Sequence, residues 1–299
     1  MTKQVKQCDE VDSLASENPM FDFITPWEGQ VPAGFDANVL GQLTDVRFSV
    51  SEIPEFARVD RLVSPKPPRI DAEACEWRAL FDAIKAARGQ FTMVDLGAGY
   101  GRWIVAGACT VRRCFPGLRS YIIGVEAEPT HFKWMQQHIS DNHIDEQSFC
   151  LIDAAVDVDD GEVWFEQGAP RNWWGQHVKR HSSEPNYGPE GQTSAEKRPA
   201  ISINRLLQKY STIDLLDMDV QGTEAEIIKA GIKMMNERVK RIFVSTHNDQ
   251  IQNDLREVFR SHGWMSLADH YPQREADTFF GKITLEDGVH YWMNQHLTD

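Results

Sequence analysis

The sequence predicts an α/β fold: a doubly wound, mostly parallel sheet of seven strands with an antiparallel hairpin at its C-terminal end. Short apolar runs alternate with segments of helical periodicity from residue 71 onward. The last apolar runs follow one another without a helix, and Asp287-Gly288 is the predicted turn of the final hairpin. Polar residues repeatedly stand where an apolar run ends, as expected where strand ends line a ligand site.

The first predicted strand ends in a glycine-rich turn. The apolar run 91–94 meets an acid at Asp95, and a helical segment opens near residue 102. Three glycines lie between them at alternate positions: Gly97, Gly99 and Gly101. Glycine lets a ligand lie against the backbone because it has no Cβ and tolerates positive φ. Since the helix start also offers free N–H groups, the stretch predicts either a nucleotide-type ligand or an ordinary structural turn.

The glycine spacing separates two classes of nucleotide ligand. A dinucleotide site needs a third glycine where this chain has Arg102. The observed pattern, acid-x-Gly-x-Gly-x-Gly, resembles motif I of the Rossmann-like methyltransferases that use S-adenosylmethionine (SAM). An acid before the turn can meet the cationic end of SAM. The sequence therefore favours SAM, and an NAD-dependent oxidoreductase is the weaker alternative.

The next two predicted strands also end at polar groups. The run 121–125 ends at Glu126, whose two carboxylate oxygens can accept hydrogen bonds from both hydroxyls of a ribose. The run 149–152 is followed by Asp153 and Ala154, where the adenine edge would lie. Asp153 could accept a hydrogen bond from the adenine amino group or cap a turn.

Two later strands end at candidate catalytic residues. The run 215–218 ends at Asp219, and the run 241–245 precedes His247 and Asn248. We predict that Asp219 and His247 form a pair in which one accepts the proton of an acceptor hydroxyl and the other orients the hydroxyl or a bound cation. Asn248 is a further predicted acceptor contact. A divalent cation stays open, because a carboxylate with His and Asn is a thin ligand set for Mg²⁺.

Two segments lie outside this alternation of strands and helices. Residues 1–70 are predicted to form an N-terminal arm or lid, flexible over about the first 20 residues and then rich in aromatic residues and proline. Residues 71–299 form the main domain, with an inserted loop at about 166–198. In that loop, Trp173 and Trp174 could stack on an acceptor ring or anchor the base of the loop.

Composition excludes several classes of partner. The 299 residues carry a net charge of −14, so a phosphate backbone is repelled and a nucleic-acid partner is disfavoured. The sequence predicts no transmembrane segment, and residues 1–7 lack an apolar signal core. The five cysteines are odd in number and lack C-x-x-C spacing, which indicates free thiols. A cytoplasmic location is therefore expected, and a homo-oligomer stays open.

With these residues in hand, the chain resembles the FkbM family of SAM-dependent methyltransferases over about residues 93–248. The motifs that carry the resemblance are Asp95-Leu-Gly-Ala-Gly-Tyr-Gly101, Gly124-Val-Glu-Ala-Glu-Pro129, Ala154-Ala-Val156 with Gly161, and Ile213-Asp-Leu-Leu-Asp-Met-Asp-Val-Gln-Gly-Thr-Glu224. The resemblance implies SAM as the cofactor and O-methylation of a hydroxyl on a sugar, glycan or natural-product acceptor.

Two positions depart from the family pattern. The family often has Lys where this chain has Asp217, and Glu where it has Gln221. Losing that glutamate removes one candidate base or ligand. The departure supports an alternative in which the chain is a non-catalytic SAM-binding or scaffold protein.

Overall fold

A computed structural model describes residues 18–49, 52–167, 178–179 and 194–297. Its helices are α1 Ala74–Ala86, α2 Arg102–Cys114, α3 Pro129–Asp141, α4 Ile203–Leu207, α5 Glu224–Arg238 and α6 Asp249–Ser261. Its strands are β1 Gly29–Val31, β2 Phe35–Ala37, β3 Leu43–Asp45, β4 Arg61–Val63, β5 Gln90–Leu96, β6 Arg119–Glu126, β7 Phe149–Asp153, β8 Ala155–Asp157, β9 Gly161–Gln167, β10 Val178–Lys179, β11 Ser194–Ser202, β12 Leu215–Met218, β13 Arg241–Thr246, β14 Trp264–His270, β15 Arg274–Thr278, β16 Gly281–Leu285 and β17 Gly288–Asn294.

The central sheet has seven strands in the order β14-β17-β13-β12-β5-β6-β7. Strands β5, β6, β7, β12 and β13 pair in parallel, and β17 is antiparallel to both of its neighbours. The chain winds outward from β5 to β7 and then returns to β12 on the other side of β5. This confirms the predicted doubly wound α/β fold. It also puts the expected ligand crevice at the carboxyl ends of β5 and β12.

The antiparallel C-terminal hairpin is formed by β14 and β17, with β15 and β16 paired to each other in the connection between them. The prediction that Asp287-Gly288 turns β16 back onto β17 was wrong, because these two strands do not pair. Burial explains the arrangement. Strand β17 is buried at almost every position, as an interior strand must be, whereas β16 is buried at only two positions.

Both faces of the sheet are covered by helices, so the central strands are mostly apolar. On β5, Phe91 and Met93 pack on the side of α1 and α2, while Val94 and Leu96 pack on the side of α4, α5 and α6. All four side chains are fully buried. A continuous apolar run is therefore what the sequence shows here, in place of the alternation of a half-exposed strand.

The described part of the N-terminal arm is fixed to the main domain. Phe21 makes edge-to-face contacts with Trp77 and Phe81 of α1, at centroid distances of 5.3 and 5.1 Å. Asn142, after α3, accepts a hydrogen bond from the N–H of Leu43 and donates one to its carbonyl oxygen, each at 2.8 Å. These contacts make residues 18–49 a brace on α1 and α3. A role as a lid stays a prediction, and residues 1–17 lie outside the described residues.

The predicted inserted loop contains strands at its edges. Strand β9 extends into it to residue 167, and β11 begins at residue 194, in a four-stranded sheet of order β10-β9-β11-β8. Residues 194–199 contain no aromatic or β-branched residue, so their sequence does not signal a strand. Pairing with β9 decides the conformation of these residues instead. Trp173 and Trp174 lie outside the described residues.

Two further expectations concern the described part of the chain. No helix there combines the length and the apolar character needed to cross a lipid bilayer. Four of the five cysteines lie in it, and all four are free thiols, as predicted.

Candidate active site

The glycine turn after β5 packs directly on the end of β12. The φ angles of Gly97, Gly99 and Gly101 are +81°, +55° and +76°, values that residues with a side chain rarely adopt. A Cβ added at Gly97 would overlap the carbonyl oxygen of Asp219. The N–H of Asp219 in turn donates to the carbonyl of Leu96 at 2.9 Å. The turn and the predicted catalytic aspartate are therefore held against each other by backbone contacts.

Glu126, at the end of β6, faces this turn. One carboxylate oxygen accepts a hydrogen bond from the N–H of Gly99 and the other from the N–H of Glu128, both at 2.7 Å. Burial raises the pKa of Glu126, while His131 and these two N–H groups act in the opposite direction. Each oxygen keeps a second lone pair for another donor. Glu126 is thus a fixed, buried acceptor beside the glycine turn.

A cavity of about 480 Å³ opens in front of the turn. Of the predicted site residues, it is lined by Asp95, Gly97, Gly99, Glu126, Ala154 and Asp219. One part of the wall is apolar and includes Ala155, Val156 and Phe165. The volume lies in the range usual for sites of drug-sized ligands and cofactors.

Buried carboxyl groups line another part of the cavity. Asp95 and Asp217 are register partners on β5 and β12, and each is only 4% exposed. One oxygen of each has no hydrogen-bond partner. Burial, and then the charge of Asp217, raises the pKa of Asp95. Burial raises the pKa of Asp217 to about 7, against the effect of a hydrogen bond with Glu76.

Sequence reasoning did not assign Glu76 or Asp217 to the site. Glu76 lies on α1, where a charged residue ordinarily faces solvent, so its sequence position carries no signal. Asp217 falls inside a buried strand and was noticed only as a departure from the family pattern. A charged residue within an otherwise apolar parallel strand is the signal that could have found it.

Asp219, His247 and Glu224 form a cluster of charged side chains at the ends of β12 and β13, in which His247 lies between the two acids. The His247 Nδ1 atom lies 3.1 Å from Glu224 Oε1, and Nε2 lies 3.3 Å from Asp219 Oδ1. Gln221 donates to the same Asp219 oxygen at 2.6 Å. Burial alone would lower the pKa of His247, but its hydrogen bonds to Asp219 and Glu224 and their charges raise it to about 11. His247 is therefore an imidazolium at neutral pH.

Glu224 is the member of the cluster that sequence reasoning missed as a site residue. Its side chain is fully buried, and both carboxylate oxygens accept from the N–H of Gly222, at 2.9 and 3.1 Å. In the sequence it stands out only as the last residue of the motif 213–224 that carries the resemblance to the FkbM family. Its place five residues after Asp219 and two after Gly222 is the pattern that could have indicated it.

Asp219, Glu224 and His247 each offer one atom of a type that binds metal ions, and these three atoms lie within 4.8 Å of one another. Two carboxylates and a histidine can in principle hold a divalent cation. Here the positive charge of His247 already balances one of the two carboxylates through the contacts given above. The divalent cation that the sequence left open therefore stays open.

The remaining predicted residues lie at the edge of the site or away from it. The carboxylate of Asp153 is ion-paired with Arg198 and does not line the cavity, although Ala154 does. Asn248 caps α6 by accepting from the N–H of Ile251 at 2.9 Å. Gly101 packs closely against Met135, because an added Cβ would lie only 2.8 Å from the side chain of that residue. Contacts of Asp153 with adenine and of Asn248 with an acceptor stay predictions.

The charge on His247 leads to a prediction about stability. The pKa of His247 is about 11 in the folded protein and about 6.5 in the unfolded chain. The charged histidine therefore adds its full contribution to the free energy of unfolding below pH 6.5, and this contribution is lost as the pH rises through 11. His247→Gln should therefore destabilise the protein more at pH 7 than at pH 10. Urea unfolding of both proteins at the two pH values measures this. A stability difference that is equal at both pH values would contradict an imidazolium in the cluster.

Comparison with known proteins assigns the family. The methyltransferase FkbM domain family matches residues 95–266, which is more than half of the chain. A protein of Jannaschia sp. (strain CCS1) named "Putative methyltransferase" is 26% identical over 209 residues, covering 67% of this chain and 71% of the relative. The chain therefore belongs to the FkbM methyltransferase family, and the family implies the use of SAM.

Solved structures similar to this chain include other methyltransferases. Methyltransferase FkbM from Methylobacillus flagellatus KT superposes with a TM-score of 0.44 at 12% identity, covering 70% of this chain and 45% of that protein. The chain thus spans less than half the length of this relative. The human methyltransferase 10 domain containing protein superposes with a TM-score of 0.41 at 12% identity, covering 77% of this chain and 84% of that protein.

Proposed function

We propose that this protein binds SAM in the cavity in front of the glycine turn and transfers the methyl group to a hydroxyl of a sugar, glycan or natural-product acceptor. The observation that carries the proposal is Glu126. Its carboxylate is buried in the wall of a cavity of about 480 Å³, is fixed by two backbone N–H groups and keeps lone pairs for two ribose hydroxyls.

The residues present fit the parts of SAM. The glycine turn lets the ligand approach the backbone closely, because Gly97 and Gly99 carry no Cβ. The apolar wall that includes Ala154 and Phe165 suits an adenine ring. Asp95 offers a buried oxygen without a donor to a cationic group. When bound, SAM supplies a methyl group on a positively charged sulfur, so the protein needs mainly to position and deprotonate the acceptor.

We assign the proton acceptor to Asp219. The sequence left open whether Asp219 or His247 accepts the proton, and the raised pKa of His247 favours the aspartate because an imidazolium has no free lone pair. His247 and Gln221 both contact Asp219 Oδ1, which leaves Oδ2 for the acceptor hydroxyl. Glu224 fixes His247 from the other side. In this arrangement, His247, Gln221 and Glu224 are positioning residues.

The charged residues in the cavity wall favour some classes of acceptor over others. Eight carboxyl-bearing residues line it: Glu73, Glu76, Asp95, Glu126, Asp217, Asp219, Glu286 and Asp287. Among the described residues of the wall, Arg102 is the only arginine or lysine. A phosphorylated acceptor or a nucleic acid would meet repulsion here. The lining therefore supports a neutral or cationic hydroxyl compound, in keeping with a sugar or natural product.

A second candidate function is SAM binding without catalysis. It is favoured by Gln221, which donates a hydrogen bond to the proposed proton acceptor at 2.6 Å and so restrains it. The two functions differ in turnover. Methylation of a hydroxylated acceptor supports the enzyme, whereas SAM binding with no methylation of any acceptor in a broad panel of sugars and glycosides supports the scaffold.

Binding is tested by calorimetry with SAM, S-adenosylhomocysteine and NAD. Wild type should bind the two adenosyl ligands and not NAD. Glu126→Gln should weaken SAM binding by about 30-fold, since a carboxylate forms stronger hydrogen bonds to ribose hydroxyls than an amide does. Glu257→Gln, which removes an exposed acid on α6 remote from the cavity, is the matched control and should bind SAM as wild type does. NAD binding without SAM binding would reject the proposal.

A further inference from the structure

Arg102 is held at the wall of the cavity by contacts on two sides. It is the first residue of α2, directly after Gly101. Its Nη1 and Nη2 atoms donate to the two carboxylate oxygens of Glu73, both at 2.5 Å. The guanidinium also lies 4.9 Å from the ring of Trp103. The side chain is 30% exposed, so it is fixed in place and still reachable from the cavity.

Among the described residues that line the cavity, Arg102 is the most favourable partner for an anion. Every other charged group of the described wall, His131 apart, is a carboxyl group. A guanidinium has five N–H donors, and Glu73 uses two of them. Three donors therefore remain for a second carboxylate. His131 is buried, and its Nδ1 atom lies 3.8 Å from Glu128 Oε2, so this histidine is less available to a carboxylate of the ligand.

A ligand with an amino-acid tail brings one carboxylate and one ammonium group. The ammonium group can be placed beside Asp95 and Asp217, each of which has a buried oxygen without a partner. Among the described residues of the wall, Arg102 carries the one guanidinium with which the carboxylate can pair. The wall thus offers a separate partner to each end of such a tail.

We propose that Arg102 binds the α-carboxylate of the methionine tail of SAM, with Glu73 holding the guanidinium at the cavity wall. The inference rests on the proposed binding of SAM and adds a recognition residue to it. It also gives Arg102 a function at the position where a dinucleotide-binding turn has its third glycine. A charged group at the start of α2 is then required by the ligand, beyond any role in packing.

The test compares SAM with decarboxylated SAM, which lacks only the carboxylate. Calorimetry is carried out on wild type, Arg102→Gln, Arg102→Lys and the control Arg113→Gln, which removes a partly buried charge at the other end of the same helix. Wild type should bind SAM about 10- to 100-fold more tightly than decarboxylated SAM, the value of a charge-assisted hydrogen-bond pair. Arg102→Gln should remove this preference by weakening SAM alone. Arg102→Lys should keep part of it, and Arg113→Gln should keep all of it.

The outcomes separate the role of Arg102 from the proposed function. Equal loss of both ligands in Arg102→Gln would make the residue structural and overturn the inference. Equal binding of both ligands by wild type would also overturn it, because the carboxylate would then not be recognised. In both cases SAM binding itself would stand. If wild type bound neither ligand, the proposed use of SAM would fail, and this inference would fail with it.

Discussion

Gly97→Ala is expected to destabilise the protein by about 3 to 5 kcal/mol and to abolish SAM binding. The φ angle of +81° costs an alanine about 1–2 kcal/mol. The added Cβ would also overlap the carbonyl oxygen of Asp219, which is backbone and cannot rotate away. Relief requires the turn and the end of β12 to separate. That movement would displace both the cofactor wall and the proposed proton acceptor.

A second glycine separates these two causes. Gly89 has a similar φ of +72°, but an added Cβ there would meet no atom within 4 Å. Gly89→Ala should therefore cost only the backbone strain, about 1–2 kcal/mol, and should leave SAM binding intact. Urea unfolding and calorimetry of the two variants make the comparison. If Gly97→Ala were no less stable than Gly89→Ala, the close packing of the turn on Asp219 would be wrong.

Asp219→Asn is expected to lower kcat by about 10²- to 10⁴-fold with little change in the affinity for SAM. An amide cannot take the hydroxyl proton, and general-base catalysis typically contributes a factor of this size. Asp287→Asn is the matched control, because Asp287 also lines the cavity and lies 3.7 Å from His247. It should reduce kcat by less than about tenfold. Methylation is followed with labelled SAM on an acceptor that wild type methylates.

His247 gives a further check on the same assignment. As a positioning residue, it should affect kcat less than Asp219 does, so His247→Gln is expected to cost about 10-fold to 100-fold. A loss of about 10²- to 10⁴-fold in His247→Gln, together with normal activity in Asp219→Asn, would return the proton-accepting role to the histidine.

The central part of the fold could be predicted because burial on both faces constrains the sequence strongly. Strand β12 was predicted with its observed bounds, 215–218, since a short, mostly apolar segment between polar ends leaves little choice. The pair Glu128-Pro129 is typical of a helix start, and Glu128 does cap α3. Pairing of the last strands was not predictable from the turn at Asp287-Gly288, because it depends on the long-range partner of β17.

The site was predictable where a polar residue ends an apolar strand. Asp95, Glu126 and Asp219 follow that rule, and the structure brings all three to one cavity. Glu76 and Glu224 lie on helices, where an acid carries no such signal, and their proximity to the site depends on helix packing. The charge state of His247 is also a property of its neighbours. It follows from Glu224 and Asp219, so the sequence position of the histidine alone could not reveal it.

The most direct test of SAM binding at Glu126 is a crystal structure of the complex with S-adenosylhomocysteine. Both ribose hydroxyls should lie about 3 Å from the carboxylate oxygens of Glu126. The adenine should lie beside Ala154, and the glycine turn should keep its backbone conformation. A nucleoside bound elsewhere with this cavity left empty, or a ribose in the cavity without contact to Glu126, would contradict the assignment of this cavity as the cofactor site.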